Sequence, residues 1–207
     1  MTAPGPGHNG GPGLERGQSW RAQCWRAARA ELLPKLPIEV VRLRVRRAAE
    51  IGLDYRTYAG VRAATGHDLI AFLFSNNALR LLRDGDRMQA AEAAKLAGLT
   101  GIARTVAVHP PLDPARMAAA LAGQGVALDA AARAPGLADG WRATRVKLRE
   151  IAAAVKAPTD RILVIGDTMM EAEWPGIARM AGYLPADRFF AARTAPAPSA
   201  GWHIGGA

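Results

Sequence analysis

At 207 residues, half of them hydrophobic, the chain is long enough for one well-filled domain with a helical extension. An aromatic share of only 6%, against many Ala, Leu and Val residues, favours helices packed on a small Val/Ile sheet over an all-β fold. The single cysteine, Cys24, excludes an intrachain disulfide and suits a reducing cytoplasm, and no apolar run approaches the roughly 18 residues of a membrane span.

The formal net charge is +9, and it is unevenly spread: residues 1–66 hold 11 Lys/Arg against 5 Asp/Glu, the rest 16 against 13. A basic front third attracts nucleic acid, anionic lipid or an acidic protein. The same excess also fits an arginine-rich solvated surface.

Residues 1–18 are Gly/Pro-rich, cannot nucleate a helix or fill a core, and predict a disordered tail without a signal peptide or a phosphate loop. Residues 19–66 read as a basic helical region. Ser19 caps a helix to Leu33 that places Trp20, Cys24, Trp25 and Ala28 on one side, a pattern for docking a helix. Pro34 and Pro37 separate it from a second helix starting at Ile38, whose apolar stripe is Ile38, Val41, Val45 and Ala48. Glu39–Arg42 and Arg46–Glu50 have the spacing of helix ion pairs, so the VRLRVRR run is partly self-neutralised. Gly52 stops this helix, Asp54 caps the next at Tyr55–Thr65, and Gly66 ends it. Two helices joined by a Gly-containing turn also fit a helix-turn-helix, whose second helix would present Arg56, Thr57, Tyr58 and Arg62 to nucleic acid. Core packing of Tyr55, Tyr58 and Val61 accounts for the same pattern.

From His67 to Ala192 the pattern changes. Leu69–Phe74 is a continuous apolar run and predicts a buried strand ending at Ser75-Asn76-Asn77, with a helix from Ala78. Arg83–Asp86 is a turn, Arg87–Ala97 a helix closed by Gly98, and Arg104–Val108 a second strand ended by His109-Pro110-Pro111. Asp113 and Pro114 open a helix to Ala122. Residues 123–140 lack clear periodicity and predict an excursion. Trp141–Val155 is an amphipathic helix turning Thr144, Leu148, Ile151 and Val155 inward. A third strand, Ile162–Gly166, stops at Asp167, and a helix follows at once. A fourth strand is expected near Tyr183-Leu184 or Phe189-Phe190, and residues 193–207 read as a flexible tail. Such alternation predicts an α/β fold: a small parallel three-layer (Rossmann-like) sheet domain preceded by a basic α-helical region. Open sheets of this kind keep ligands at the carboxyl ends of their strands.

Side-chain hydrolysis has no support. His8, His67, His109 and His203 are scattered without zinc-ligand spacing, and no GxSxG elbow or cysteine–histidine signature occurs. The best constellation is Ser75-Asn76 after FLF, Lys147, and Asp167 with Glu171 in VIGDTMMEAEW. Over Leu69–Gly182 this pattern resembles the haloacid dehalogenase superfamily, as does the later ARMAGY segment. The resemblance implies that Ser75 and Asn76 bind a substrate phosphate, that Lys147 balances its charge, and that Asp167 and Glu171 hold Mg2+. The family's aspartate nucleophile, in a DxD motif after an earlier strand, is missing; Asp84-Gly85-Asp86 follows a helix. The implied protein is a cytoplasmic, non-catalytic relative of a phosphohydrolase core. It would bind a phosphate-bearing small molecule, with an acidic partner or nucleic acid at the basic helices and no membrane. A Mg2+-dependent phosphatase with its acid supplied elsewhere, and a DNA-binding regulator using Arg56, Thr57, Tyr58 and Arg62, are the alternatives. Without any ligand, Ser75 and Asn76 would cap a helix, Lys147 would pair with an acid, and Asp167 would cap the last helix beside Glu171 and Glu173.

Overall fold

The computed structural model describes residues 36–191. The expected tails at 1–18 and 193–207, and the helix from Ser19 to Leu33 with Trp20, Cys24 and Trp25, lie outside the described residues. Two compact units are distinguished, Met1–Val41 and Arg42–Ala207; of the first, only residues 36–41, with the opening turn of a helix, are described. That helix is α1 (Ile38–Glu50), followed by α2 (Tyr55–Thr65). The chain then alternates: β1 (Ala71–Ser75), α3 (Ala90–Ala97), β2 (Ala103–Val108), α4 (Pro114–Ala122), β3 (Ala130–Arg133), α5 (Trp141–Ala154), β4 (Ile162–Gly166), α6 (Met169–Ala178), β5 (Gly182–Pro185) and α7 (Ala186–Ala191).

The sheet has five parallel strands in the order β3-β2-β1-β4-β5, so the chain starts at the centre, winds to one edge and crosses back to the other. Helices cover both faces, giving the predicted small Rossmann-like three-layer fold. All of β1 and β4 is buried, as strands covered on both faces require. Phe72 and Phe74 point to a core shared with Ala48, Ile51, Leu53 and Tyr58, with α3 and α4, and with Phe189 of α7. The rings of Phe72, Phe74 and Phe189 meet edge to face at 5.4–5.9 Å. Ala71 and Leu73 face the other way, onto Leu148 and Ile151 of α5 and Trp174 of α6.

Arg47 fastens α1 to the amino ends of the strands. Its Nε donates to Asp68 Oδ2 at 3.1 Å, and Nη2 donates to the Leu69 and Gly101 carbonyls at 3.0 and 2.8 Å. Asp68 also accepts the Tyr58 hydroxyl at 2.7 Å, so the α1–α2 hairpin is tied to the entry of β1 from two sides.

Several expectations are corrected. No helix follows Ser75: Asn76 Nδ2 instead donates to the Leu81 carbonyl at 2.9 Å, and Arg80 adopts a left-handed φ of 56°, which holds a turn there. α3 starts at Ala90 rather than Arg87, and ahead of it the Met88 N–H donates to Gln124 Oε1 at 2.9 Å. The 123–140 excursion contains the edge strand β3, and β5 occupies the Tyr183-Leu184 position while Phe189 and Phe190 lie in α7. The apolar stripe of α1 is largely solvent-facing at Ile38 and Val45, with burial beginning at Ala48. Glu50 pairs with Arg47, at 3.4 Å, and not with Arg46. The last long helix is capped by Thr168 and not by Asp167.

Candidate functional site at the carboxyl edge of the sheet

β1 and β4 are neighbours in space but far apart in sequence, and the chain leaves them in opposite directions. Their carboxyl ends therefore border the crevice where doubly wound sheets hold ligands. Ser75-Asn76-Asn77 leaves β1 there, Asp167-Thr168 leaves β4, and His109 follows β2 on the far side of β1.

Glu171 joins all three strand ends. The Thr-x-x-Glu sequence forms a capping box: Thr168 Oγ1 accepts the Glu171 N–H at 3.2 Å, and Glu171 Oε2 accepts the Thr168 N–H at 3.1 Å. The same Oε2 accepts the Asp167 N–H at 2.7 Å. Oε1 accepts Asn77 Nδ2 at 2.8 Å and faces His109 Nε2 at 3.1 Å. Opposite a carboxylate that nitrogen must donate, so we assign its hydrogen to Nε2. Glu171 is 0% exposed. Burial alone pushes its carboxyl up, but hydrogen bonds from His109, the Asp167 N–H, Ser75 and Asn77 outweigh it and hold the group down at about 2. The Trp174 ring lies 5.9 Å from that of His109 and closes the cluster from one face of the sheet.

Gly166 makes the tight approach possible. A Cβ built there would lie 2.7 Å from Tyr183 Cε2, 2.8 Å from Glu171 Oε2 and 2.9 Å from Glu171 Cβ. The glycine in VIGD thus lets the Glu171 carboxylate and the Tyr183 ring close over the end of β4.

Ser75 and Asn76 are both buried and engaged: Ser75 Oγ accepts the Ala78 N–H at 3.0 Å, and Asn76 Oδ1 accepts the His109 N–H at 2.8 Å. Lys147 donates to Asp139 Oδ2 at 2.5 Å, and Asp139 also accepts the Gly136 N–H at 2.7 Å. The Lys147 bond, followed by the Gly136 N–H, holds the Asp139 carboxyl below its usual range against the weaker effect of burial. Asp167 is exposed, and its carboxylate has no hydrogen bond or ion pair among the described residues. The sheet therefore brings Ser75, Asp167 and Glu171 to one edge, and Lys147 turns to Asp139. A cleft of about 270 Å³ beyond β3 is lined by Asp139, Trp141, Glu173 and Trp174, and by none of Ser75, Asn76, Lys147 or Asp167.

The implied Mg2+ does not fit this donor set. Every oxygen lone pair of Glu171 is turned to an internal donor, Asp167 is left alone, and no group of three His, Cys, Asp or Glu residues suited to a metal exists among the described residues. Of the proposed nucleic-acid readers, Tyr58 is buried on Asp68, Arg62 bonds the Tyr58 hydroxyl at 3.3 Å, and Thr57 Oγ1 donates to Asp54 at 2.6 Å. Arg56 alone is exposed without a partner among the described residues.

The fold and this edge define a doubly wound parallel α/β protein whose strand ends are locked together by a buried carboxylate. No family model, curated protein or solved structure matches the chain. Among the described residues, no helix is long and apolar enough to cross a membrane.

Proposed function

We propose that this chain is a non-catalytic α/β binding protein, akin to a phosphohydrolase core that has lost its chemistry, and that it holds a phosphate-bearing ligand at the carboxyl edge of its sheet. The observation that carries the reading is the state of Glu171. A carboxylate meant to ligate a metal must keep lone pairs free for it, and this one is 0% exposed and turned wholly to internal donors. It serves to position three strand ends. In addition, β1 is the first strand among the described residues, so an earlier strand bearing a nucleophilic aspartate has no counterpart there.

The test uses the full chain with phenyl phosphate. The melting temperature should rise with ligand concentration, as for any molecule that binds only the folded state. No inorganic phosphate should be released, with or without Mg2+. Mg2+-dependent release that disappears in Asp167→Asn would make the protein a phosphatase and end this reading.

A further inference from the structure

The cleft beyond β3 lies where the first turns of α5 and α6 meet the loop that leaves β3, at the carboxyl edge of the sheet. Its volume of about 270 Å³ falls just under the roughly 300–1,000 Å³ of pockets for whole drug-sized ligands and suits a single ring system. Trp174 is a shared wall: it lines this cleft, and its ring also lies 5.9 Å from that of His109, so the cleft adjoins the Glu171 cluster.

Trp141 is 60% exposed, and it is held in that position. The Arg145 guanidinium covers one face of the indole, 4.2 Å from the ring centre, and Arg145 Nε donates to the Ile177 carbonyl of α6 at 2.8 Å. One cation therefore fixes the indole to the neighbouring helix and leaves the other face for a second ring. Leu137, 91% exposed, and Met170 add apolar wall.

The polar atoms left over in the cleft point to what that ring carries. Thr144 is only 6% exposed, yet its hydroxyl has no hydrogen bond among the described residues and is not sealed from the cleft. The Gly140 carbonyl, one turn back, takes the Thr144 N–H at 3.0 Å and not the hydroxyl. A nearly buried hydroxyl left open in this way is a place for a ligand atom. Asp139 accepts both Lys147 and the Gly136 N–H through Oδ2, which leaves Oδ1 without a partner among the described residues. The Glu173 carboxylate is exposed and likewise has none. The free groups thus ask for N–H donors. Lys147 and Arg145 offset the two carboxylate charges, so a neutral amino group suits the cleft better than an ammonium ion.

We infer that the α5–α6 cleft binds an amino-substituted heteroaromatic ring of the nucleobase kind, stacked on Trp141, with its amino group donating to Glu173 or Asp139 and its edge meeting the Thr144 hydroxyl. That this ring belongs to the same molecule as the phosphate rests on the reading of the chain as a phosphate-ligand binder; together the two make the ligand a nucleotide.

Four probes are titrated into the full chain by calorimetry: adenosine 5′-monophosphate, adenosine, purine riboside, which lacks the amino group, and ribose 5-phosphate, which lacks the ring. Trp141→Ala and Glu173→Gln alter exposed side chains and Thr144→Val keeps its shape, so all three should fold, which circular dichroism and the ligand-free melting temperature check. Adenosine should bind and quench indole fluorescence, and purine riboside should bind about tenfold more weakly or worse. Trp141→Ala and Glu173→Gln should each weaken adenosine about tenfold or more, and Thr144→Val should weaken it several-fold. The monophosphate should bind more tightly than adenosine. Equal binding of adenosine and purine riboside, or adenosine affinity unchanged in Trp141→Ala and Glu173→Gln, overturns the cleft assignment. Equal binding of the monophosphate and ribose 5-phosphate, with none of adenosine, overturns the cleft and leaves the phosphate reading in place. A monophosphate no tighter than adenosine keeps the ring site and overturns the phosphate reading, and with it the nucleotide. No response to any of the four overturns both.

Discussion

Replacing Glu171 by Gln keeps its shape and removes its charge, which isolates what the buried carboxylate contributes. Holding the group at about 2 instead of 4.5 corresponds to about 3 kcal/mol of folding stability at neutral pH. An amide cannot recover this. Its nitrogen must face either the Asn77 and His109 donors or the N–H groups of Asp167 and Thr168, so donor meets donor on one side. Glu171→Gln should therefore lose about 2–4 kcal/mol at neutral pH, read from urea unfolding followed by circular dichroism. The pH dependence has a defined sign. Because the folded-state value lies below the ordinary one, the wild-type contribution is complete above about 4.5 and is lost as the pH falls toward about 2. The gap between wild type and variant should narrow across that window. A variant within about 0.5 kcal/mol of wild type at neutral pH, or a gap that does not close on acidification, would refute the assignment of Glu171 as a structural anion. So would a stabilised variant, the behaviour expected of a metal ligand freed from unpaired charge.

Gly166→Ala should cost about 1–3 kcal/mol, because its methyl group collides with Tyr183 and Glu171, whereas Gly60→Ala, in open space on α2, should stabilise by up to about 1 kcal/mol; melting temperatures of the pair give opposite signs. Arg47→Ala should lower stability by about 2–3 kcal/mol, since the Asp68 carboxylate and the Leu69 and Gly101 carbonyls lose their donor, and the urea midpoint should fall with little change in slope. Millimolar Mg2+ should leave the melting temperature unchanged, because the carboxylate best placed to receive it is saturated from within; a concentration-dependent rise would contradict that.

Elements decided by short-range chemistry were legible in the sequence. Asp54 and Gly66 bound α2, and Asp113 with Pro114 opens α4, through backbone groups within a turn of the capping side chain. β1 and β4 announce themselves as apolar runs because the sheet buries them on both faces, and β2 does so only over its last residues, Val106–Val108. β3 gave no such signal: Ala130–Ala132 is only half buried, and alanine has little preference for a strand. The segment after Ser75 misleads for another reason, since Asn76 and Asn77 spend their amides on Leu81 and Glu171 in place of helix caps. The Thr168–Glu171 spacing is a readable capping box, and it points to Glu171 as part of a helix start. The bonds that Asn77 and His109 bring to that carboxylate, across 94 and 62 residues, depend on strand order and leave no local trace.

Both borders of the sheet are short and chemically blunted. On one side β3 offers four residues and stops at Arg133, whose guanidinium is turned to the Leu112 carbonyl. On the other, β5 offers four and stops at Pro185, which has no amide hydrogen to give. An extended segment from a neighbouring molecule finds few places to zip on at either margin, so fibre-like self-association through these margins is disfavoured even at high concentration.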